Sequence, residues 1–589
     1  MCGIFGYAGK KTKAAEFVFA GLKSLEYRGY DSWGIAAIST QNTISVKKKT
    51  GKIGAATIDE FGPSNFAFGH TRWATHGGVT EVNSHPHLDC IGNFAIVHNG
   101  IIENYEKLKK DLQKKGHKII SETDSEIAIH LIEEYAKTLP FSEAVRKAFL
   151  QFSGLNAIIV MSVKDRQFVA ARSGSPLVIG FGTDENFIAS DALALLRHTK
   201  RVYFLEDNEY AVVSKNSIRI ADISNNQKKI VKPTTLNWKI SETTKGNFPY
   251  FMLKEIYEQP EMIERIALTP ASDIEKWVQI IKKAKGTYLI GCGSAYHACI
   301  AGSYIFSHIA KFHINPAVAS EFGYQLDFLT KKSLVIALSQ SGETMDTLEA
   351  VKKAKAAGAK IGAFVNVAGS TLYREADYKL PLTAGPEKGV ATTKAFTAKI
   401  SFLLLIAYAL SGNLNQGRKL LKKAARSSRK LLEKETTNGI KNICKKLQHK
   451  EHLYVIGRGL SYPTALESAL KIKEISYIHA EGFAAGELKH GVLALIEKNT
   501  PCLVFAPSDE TEGANIAGAM EMKARGGDII AVASHSHEVF DEYLKVNDCK
   551  EATIIPNVIM SQLFGYYMAT ARGLDPDMPR NLAKSVTVK

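Results

Sequence analysis

The 589-residue chain contains no Cys-x-x-Cys pair, and its seven cysteines are odd in number and widely spread. A disulfide framework has no spacing to rest on, and this usage points to a reducing, intracellular setting. The N-terminus lacks a basic stretch followed by an apolar one, so no secretory signal is expected. No apolar run is long enough to span a bilayer; the longest, residues 400–410 (ISFLLLIAYAL), reads as a buried helix. A soluble cytoplasmic protein without membrane association is the expectation. Zinc-finger spacing, RNP-type aromatic patterns and Gly-Arg repeats are also missing. That counts against a nucleic-acid partner, although 75 Lys and Arg against 59 Asp and Glu leave a formal net charge of +16. The lysines of residues 107–118 and 419–430 alternate with Leu or Ala at helical spacing. They read as solvated helix faces, with a secondary attraction for anionic substrates. No G-x-x-x-x-G-K-[ST] loop or phosphoribosyl-pyrophosphate motif is present. The dinucleotide fingerprint fails too, because Tyr296 and Tyr462 stand where its third glycine belongs.

What is there begins at position 2. Removal of Met1 leaves Cys2 with a free α-amine beside its own thiol. Such an amine, with a pKa of about 7.7–8.0, can act as the base for the nucleophile that carries it. A chain of this length implies about three domains. Through residue 240, short β-like runs (33–38, 66–68, 94–97, 157–163, 168–171, 202–205) are interrupted by turns and few helices, such as 125–136. That pattern suits an α+β domain of stacked antiparallel sheets, drawn at 2–240. The polar, unpatterned stretch 237–247 marks a linker, drawn at 241–250.

Beyond it, strands and helices alternate. Tyr288-Leu-Ile-Gly291-Cys-Gly293-Ser-Ala-Tyr296 recurs as Tyr454-Val-Ile-Gly457-Arg-Gly459-Leu-Ser-Tyr462, and two later strand–turn units align as well. The C-terminal part therefore reads as a tandem duplication of a doubly wound α/β unit, at 251–430 and 431–574, followed by a tail at 575–589.

Three clusters accompany Cys2 in the first domain: His70-Thr-Arg72-Trp73-Ala-Thr75-His76-Gly77, His98-Asn99-Gly100 and Ser121-Glu-Thr123-Asp124. A thiolate attacking an amide needs oxyanion donors, which an Asn side chain and a Gly N–H can supply. An amino-acid substrate needs a cation for its carboxylate, such as Arg72, and an anion for its ammonium, such as Asp124. Separately, Asn-Gly also signals a turn and Thr123-Asp124 also caps a helix. Of five histidines between His70 and His98, only His85-Pro86-His87 form a close pair, and it lacks the spacing of zinc ligands. No metal and no cofactor are expected.

Together MCGIFGY, Leu25–Ser32 (LEYRGYDS), HTRWATHG, HNGIIEN and SETDSE resemble the class II glutamine amidotransferases, which hydrolyse glutamine with an N-terminal cysteine. The resemblance implies that Cys2 is the nucleophile and that Asn99 and Gly100 form the oxyanion hole. It assigns glutamine binding to Arg72, Thr75, His76 and Asp124, and makes Arg28 an organiser of the closed site. It implies a stacked-sheet N-terminal-nucleophile fold.

In the second part, Ser339-Gln340-Ser341-Gly342-Glu343-Thr344 follows a strand and precedes a helix. Hydroxyls and N–H groups there can cradle a phosphate monoester, or simply form an N-cap. The second repeat reads Pro507-Ser-Asp-Glu510 at that place, with acidic charge unsuited to phosphate. Glu467, Lys471 and Glu474 share one helix face, as either a solvated stripe or a site.

With LSQSGET, GVATTKAF, ALKIKEISYIHAE, AAGELKHG and the tail PRNLAKSVTV, nearly the whole chain resembles the glutamine–fructose-6-phosphate aminotransferase (isomerising) family, the glucosamine-6-phosphate synthases. The resemblance implies that fructose 6-phosphate and glutamine become glucosamine 6-phosphate and glutamate. It implies tandem sugar-isomerase (SIS) domains. Ser294, Ser339, Gln340, Ser341, Thr344, Val390 and Lys471 would bind the sugar phosphate, and His490, from a neighbouring subunit, would open the ring. Lys584 would form a Schiff base, Glu474 would move a proton between C1 and C2, and Trp73 would gate ammonia. A homodimer or higher homo-oligomer follows. Departures from the family pattern are Ala295, where a second hydroxyl is usual, Lys589 at the terminus, and Gly154-Leu-Asn-Ala157, taken as a core strand without catalytic duty. The rival readings are a sugar-phosphate deaminase, which needs no Cys2, and a regulatory sugar-phosphate-binding module, which needs no Lys584.

Overall fold

The computed structural model describes residues 2–587 apart from 55, 237 and 239, and the backbone alone of residue 241. The readings about Met1 removal and the terminal Lys589 lie outside the described residues. Two compact units form: Met1–Thr243 with Ala583–Lys589, and Thr244–Leu582.

In the first unit two antiparallel sheets lie face to face. One has eight strands in the order Thr234–Thr235, Arg201–Phe204, Val178–Phe181, Glu185–Ala189, Gly3–Gly9, Phe66–Arg72, Ser32–Ile38, Ile44–Thr50. The other has six: Ile218–Asp222, Glu209–Val213, Gln167–Ser173, Asn156–Ser162, Phe94–Gly100, His87–Leu88. Side chains alternate between the faces of a strand. Ile4 and Ala8 accordingly join Phe68, Val97, Ile159 and Phe168 between the sheets. Phe5 and Tyr7 point the other way, into a core with Val18 and Leu22 of the helix Ala14–Leu25. Ile96 and Ile158 likewise meet Ile127 and Val145 of the helices Asp124–Ala136 and Phe141–Phe149. Both faces of each sheet are thus covered, which is why the first strand is apolar throughout.

This layering places the site. Gly3 pairs with Thr71 in antiparallel register, so the start of one central strand meets the end of its neighbour and Cys2 falls beside Arg72 and Trp73. Gly29 is needed for that junction: a Cβ there would lie 2.7 Å from the main-chain atoms Arg72 C and Trp73 N.

The second unit holds two five-stranded parallel sheets. Their orders are Asn315–Val318, Thr287–Gly291, Leu334–Ser339, Lys360–Val365, Tyr378–Pro381, and His479–Ala484, His452–Gly457, Pro501–Ala506, Asp528–Ala533, Glu542–Lys545. Each follows the order 2-1-3-4-5 within its repeat, and each reverses direction beside its first strand, where open α/β sheets bind ligands. The helices Lys394–Leu410 and Ile554–Ala571 are buried almost throughout and contribute to one core with both repeats. Residues 400–410 are therefore the buried helix that their sequence suggests. Among the described residues no helix is long and apolar enough to cross a membrane.

The tail divides between the units. In the second unit, the Asp577 carboxylate accepts the N–H groups of Phe251 (2.7 Å) and Met252 (2.8 Å), and its carbonyl accepts Val390 N–H at 3.2 Å. Ala583 onward, including Lys584, belongs to the first unit.

Candidate functional site

In the first unit a pocket is lined by Cys2, Arg72, Trp73, Thr75, His76, Asn99, Gly100 and Asp124, together with His85, His98, Thr123, Ser125 and Thr587. Cys2 Sγ accepts the N–H of Trp73 at 3.3 Å. The carbonyl of Cys2 receives Asn99 Nδ2 at 3.0 Å and Arg28 Nε at 3.4 Å. Arg28 is itself held by Asp191 at 3.0 Å. Asn99 cannot turn over freely, because His70 Nε2 lies 3.0 Å from its Oδ1. Burial holds His70 near a pKa of about 3, so the ring is neutral and its Nε2–H donates to that oxygen. The adjacent Gly100 has φ 130°, and a Cβ there would stand 2.0 Å from the Leu155 carbonyl oxygen.

Arg72 is buried at the end of its strand, and its guanidinium donates to the carbonyls of His76, Gly77 and Gly78, which shapes the loop above it. Burial lowers its pKa, with Cys2, Asp31 and Asp124 opposing. Asp124 opens the helix Asp124–Ala136, where Thr123 is the N-cap; its Oδ2 accepts Ile102 N–H at 2.7 Å. The cap and the site are thus the same few residues. His98 spans Ser125 Oγ (2.8 Å) and Asn156 Oδ1 (2.9 Å). Residues 154–157 therefore do more than fill a core strand: Leu155 abuts Gly100 and Asn156 anchors His98. His76 packs edge-on against Tyr105, with ring centroids 4.5 Å apart.

In the second unit, the Ser339–Thr344 loop follows the strand Leu334–Ser339 and leads into the helix Met345–Ala356. Ser339 Oγ accepts Gly342 N–H at 2.9 Å, and Ser341 Oγ accepts Glu343 N–H at 3.1 Å. Thr344 is the N-cap residue, yet its side chain makes no capping bond. The Glu467–Lys471–Glu474 face is no solvated stripe. Glu467 and Lys471 have fully buried side chains, with Lys471 Nζ 3.6 Å from Glu467 Oε1 and 2.5 Å from Glu474 Oε2. Ser294 Oγ donates to Glu467 at 2.9 Å, and His297 Nδ1 stands 2.9 Å from its other oxygen. Burial works against the charge on Lys471, but Glu474 and Glu467 outweigh it and raise its pKa. Burial likewise works against the Glu467 carboxylate, and Lys471 and His297 hold it below its usual range. The arrangement is a buried ionic relay reaching from the first repeat to a partly exposed carboxylate, Glu474.

Comparison with known proteins bears on both sites. A glutamine amidotransferase domain model matches residues 70–197, and an SIS domain model matches 280–409 and 446–572. A glutamine–fructose-6-phosphate aminotransferase (isomerizing) of Pyrococcus horikoshii is 42% identical over 610 residues, covering all of both chains. A protein of that name from Aquifex aeolicus is 41% identical over 604 residues, again covering both fully. The chain belongs to the glutamine–fructose-6-phosphate aminotransferase (isomerizing) family. A solved C-terminal domain of glucosamine-fructose-6-phosphate aminotransferase from Francisella tularensis superposes with TM-score 0.53 at 34% identity, covering 57% of this chain and 99% of that one. An N-terminal glutaminase of stacked antiparallel sheets followed by two SIS domains is thus the architecture of this aminotransferase-family chain.

The structure gathers Cys2, Asn99, Gly100, Arg72, Thr75, His76, Asp124 and Trp73 around one pocket, with Arg28 behind it. It joins Ser294, Lys471 and Glu474 in one cluster through Glu467. His490 is exposed on a short 3-10 turn, Ala485–His490, and takes no part in that cluster. Lys584 lies in the Ala583–Lys589 segment of the first unit. His70, Ser125, Thr587 and His297 escaped the sequence reading. His70, Ser125 and Thr587 each sat inside a quoted motif without being singled out, whereas no local signal marks His297.

Proposed function

We propose that this chain converts fructose 6-phosphate and glutamine into glucosamine 6-phosphate and glutamate. The reading is carried by one observation: a cysteine pocket with a pre-oriented Asn99 and a buried Glu467–Lys471–Glu474 relay occur in one chain that matches these aminotransferases end to end.

With Met1 removed, the Cys2 α-amine takes the thiol proton and the thiolate attacks the glutamine amide carbon. Asn99 Nδ2 and Gly100 N–H stabilise the oxyanion. Arg72, Thr75, His76 and Asp124 hold the amino-acid end. Collapse expels ammonia, and water then cleaves the thioester to glutamate. Ammonium is no nucleophile, so ammonia must travel sheltered, and Trp73 is its gate. At the second site Ser339, Gln340, Ser341 and Thr344 bind the phosphate, and Ser294 and Val390 line the sugar. His490 of the partner subunit opens the ring, and Lys584 condenses with the C2 ketone, releasing water. Ammonia displaces the lysine, and Glu474, charged beside Lys471, moves a proton from C1 to C2 to yield the aldose. The working form is a cytoplasmic homodimer or higher homo-oligomer, without nucleic-acid or membrane partners.

The test is incubation with both substrates, expecting glutamate and aminosugar phosphate in equal amounts. Cys2→Ala should lose synthesis from glutamine and keep it from ammonium salts. Borohydride should trap the sugar on Lys584. Glutamine consumption without hexose amination, even in excess ammonium, would overturn the reading.

A further inference from the structure

Away from the cysteine pocket, three segments of the first unit converge on four ligand-type side chains. Cys90 lies in the turn between the strands His87–Leu88 and Phe94–Gly100; His117 follows the helix Tyr105–Lys114; His130 and Glu133 lie one turn apart on Asp124–Ala136. One donor atom from each lies within 4.8 Å of all the others. We propose that Cys90 Sγ, His117 Nδ1, His130 Nδ1 and Glu133 Oε2 form a structural site for a divalent transition metal of the zinc type.

The distances carry the assignment. Cys90 Sγ stands 3.6 Å from each of the two Nδ1 atoms. Glu133 Oε2 stands 3.1 Å from His117 Nδ1 and 3.0 Å from His130 Nδ1. Tetrahedral zinc with Zn–S of about 2.3 Å and Zn–N and Zn–O of about 2.0–2.1 Å separates S from N by about 3.5 Å and N from O by about 3.3 Å. These four of the six edges lie close to that pattern, and the other two lie within 4.8 Å. Hydrogen bonding to Glu133 explains two of these contacts, and the sulfur 3.6 Å from both ring nitrogens completes a set of four donor atoms facing one point.

The surroundings fit as well. Histidine ligands commonly present their other ring nitrogen to a carboxylate. Here His117 Nε2 lies 3.0 Å from Glu134 Oε2, and His130 Nε2 lies 3.6 Å from Glu126 Oε1. Both rings are buried while Cys90 is exposed, which leaves a route for the ion. Four protein ligands close the coordination sphere, so the site is structural, not catalytic. It would fasten the hairpin, the loop after Tyr105–Lys114, and the helix whose first residue is Asp124. On binding, Cys90 gives its thiol proton to solvent and coordinates as thiolate.

The test uses the full-length protein. After chelation and dialysis, cobalt(II) chloride is titrated into the wild type and into Cys90→Ser, whose fold is checked by circular dichroism. The wild type should give intense tetrahedral d–d bands and a thiolate-to-cobalt charge-transfer band, saturating near one equivalent and displaced by zinc chloride. Cys90→Ser should lack the charge-transfer band, and His130→Ala should bind with at least tenfold weaker affinity. Absence of the band from the wild type, or its persistence in Cys90→Ser, would overturn the site.

Discussion

Replacing Lys471 by Met tests the buried relay directly. The variant removes the ammonium that lies 3.6 Å from Glu467 Oε1 and leaves a carboxylate with no side-chain exposure. Breaking a buried ion pair from one side costs about 3–5 kcal/mol, because the remaining charge is uncompensated. The second unit, Thr244–Leu582, has 339 residues. At roughly 2 cal/mol/K of unfolding entropy per residue, each kcal/mol moves its midpoint by about 1.4 °C, so the expected fall is about 4–7 °C. Calorimetry of the full chain reads this as a shift of the second unit's transition. Adding Glu467→Gln removes the stranded charge and should recover more than half of the loss, since Ser294 and His297 can still hydrogen-bond the amide. The reasoning fails if Lys471→Met leaves the transition in place, or if the double variant is less stable than the single one.

Three further outcomes follow from the first unit. Asn99→Ala should lower glutamine hydrolysis by about 10²–10³ in kcat, as expected for one lost oxyanion donor, while synthesis from ammonium salts persists; steady-state assays with the two nitrogen sources separate these. Buried His70, at about 3 when folded against 6.5 in its ordinary state, makes stability rise with pH across that window, because the unfolded chain binds the extra proton. Its contribution is full above about pH 6.5 and is lost toward pH 3 at about 1.4 kcal/mol per pH unit, and urea titrations of His70→Gln should show a flatter acid limb. Gly29→Ala pushes a Cβ to 2.7 Å from the Arg72–Trp73 main chain and should cost about 1–3 kcal/mol while raising the KM for glutamine.

Local chemistry was the legible part. Cys2, Asn99 and Asp124 stood in short motifs whose residue types matched one reaction, and the duplicated strand–turn units exposed the two SIS sheets. Strand runs came through where apolar stretches were bounded by turns, as at Phe94–Gly100 and Asn156–Ser162. Sheet order did not, since it depends on pairing between segments distant in the chain, such as Gly3–Gly9 with Glu185–Ala189. The Glu467–Lys471–Glu474 stripe had a helical period that fits water or a core equally; only the partners Ser294 and His297, about 170 residues away, mark it as interior. The Cys90, His117, His130 and Glu133 group was invisible for the same reason. Its only short spacing, His130 to Glu133, is ordinary on any helix. The tail read as one piece because sequence gives no sign that Asp577 ties down its beginning separately.

The contact between Asn99 and the carbonyl of Cys2 has a consequence for how the first reaction is tuned. A carboxamide nitrogen bears two hydrogens. In the proposed mechanism one is engaged by the backbone of the attacking residue, and the second serves the negative oxygen that the attack creates. In that mechanism a single planar group sets the spacing between attacker and developing charge, and the neutral imidazole behind it keeps that ruler from being reversed.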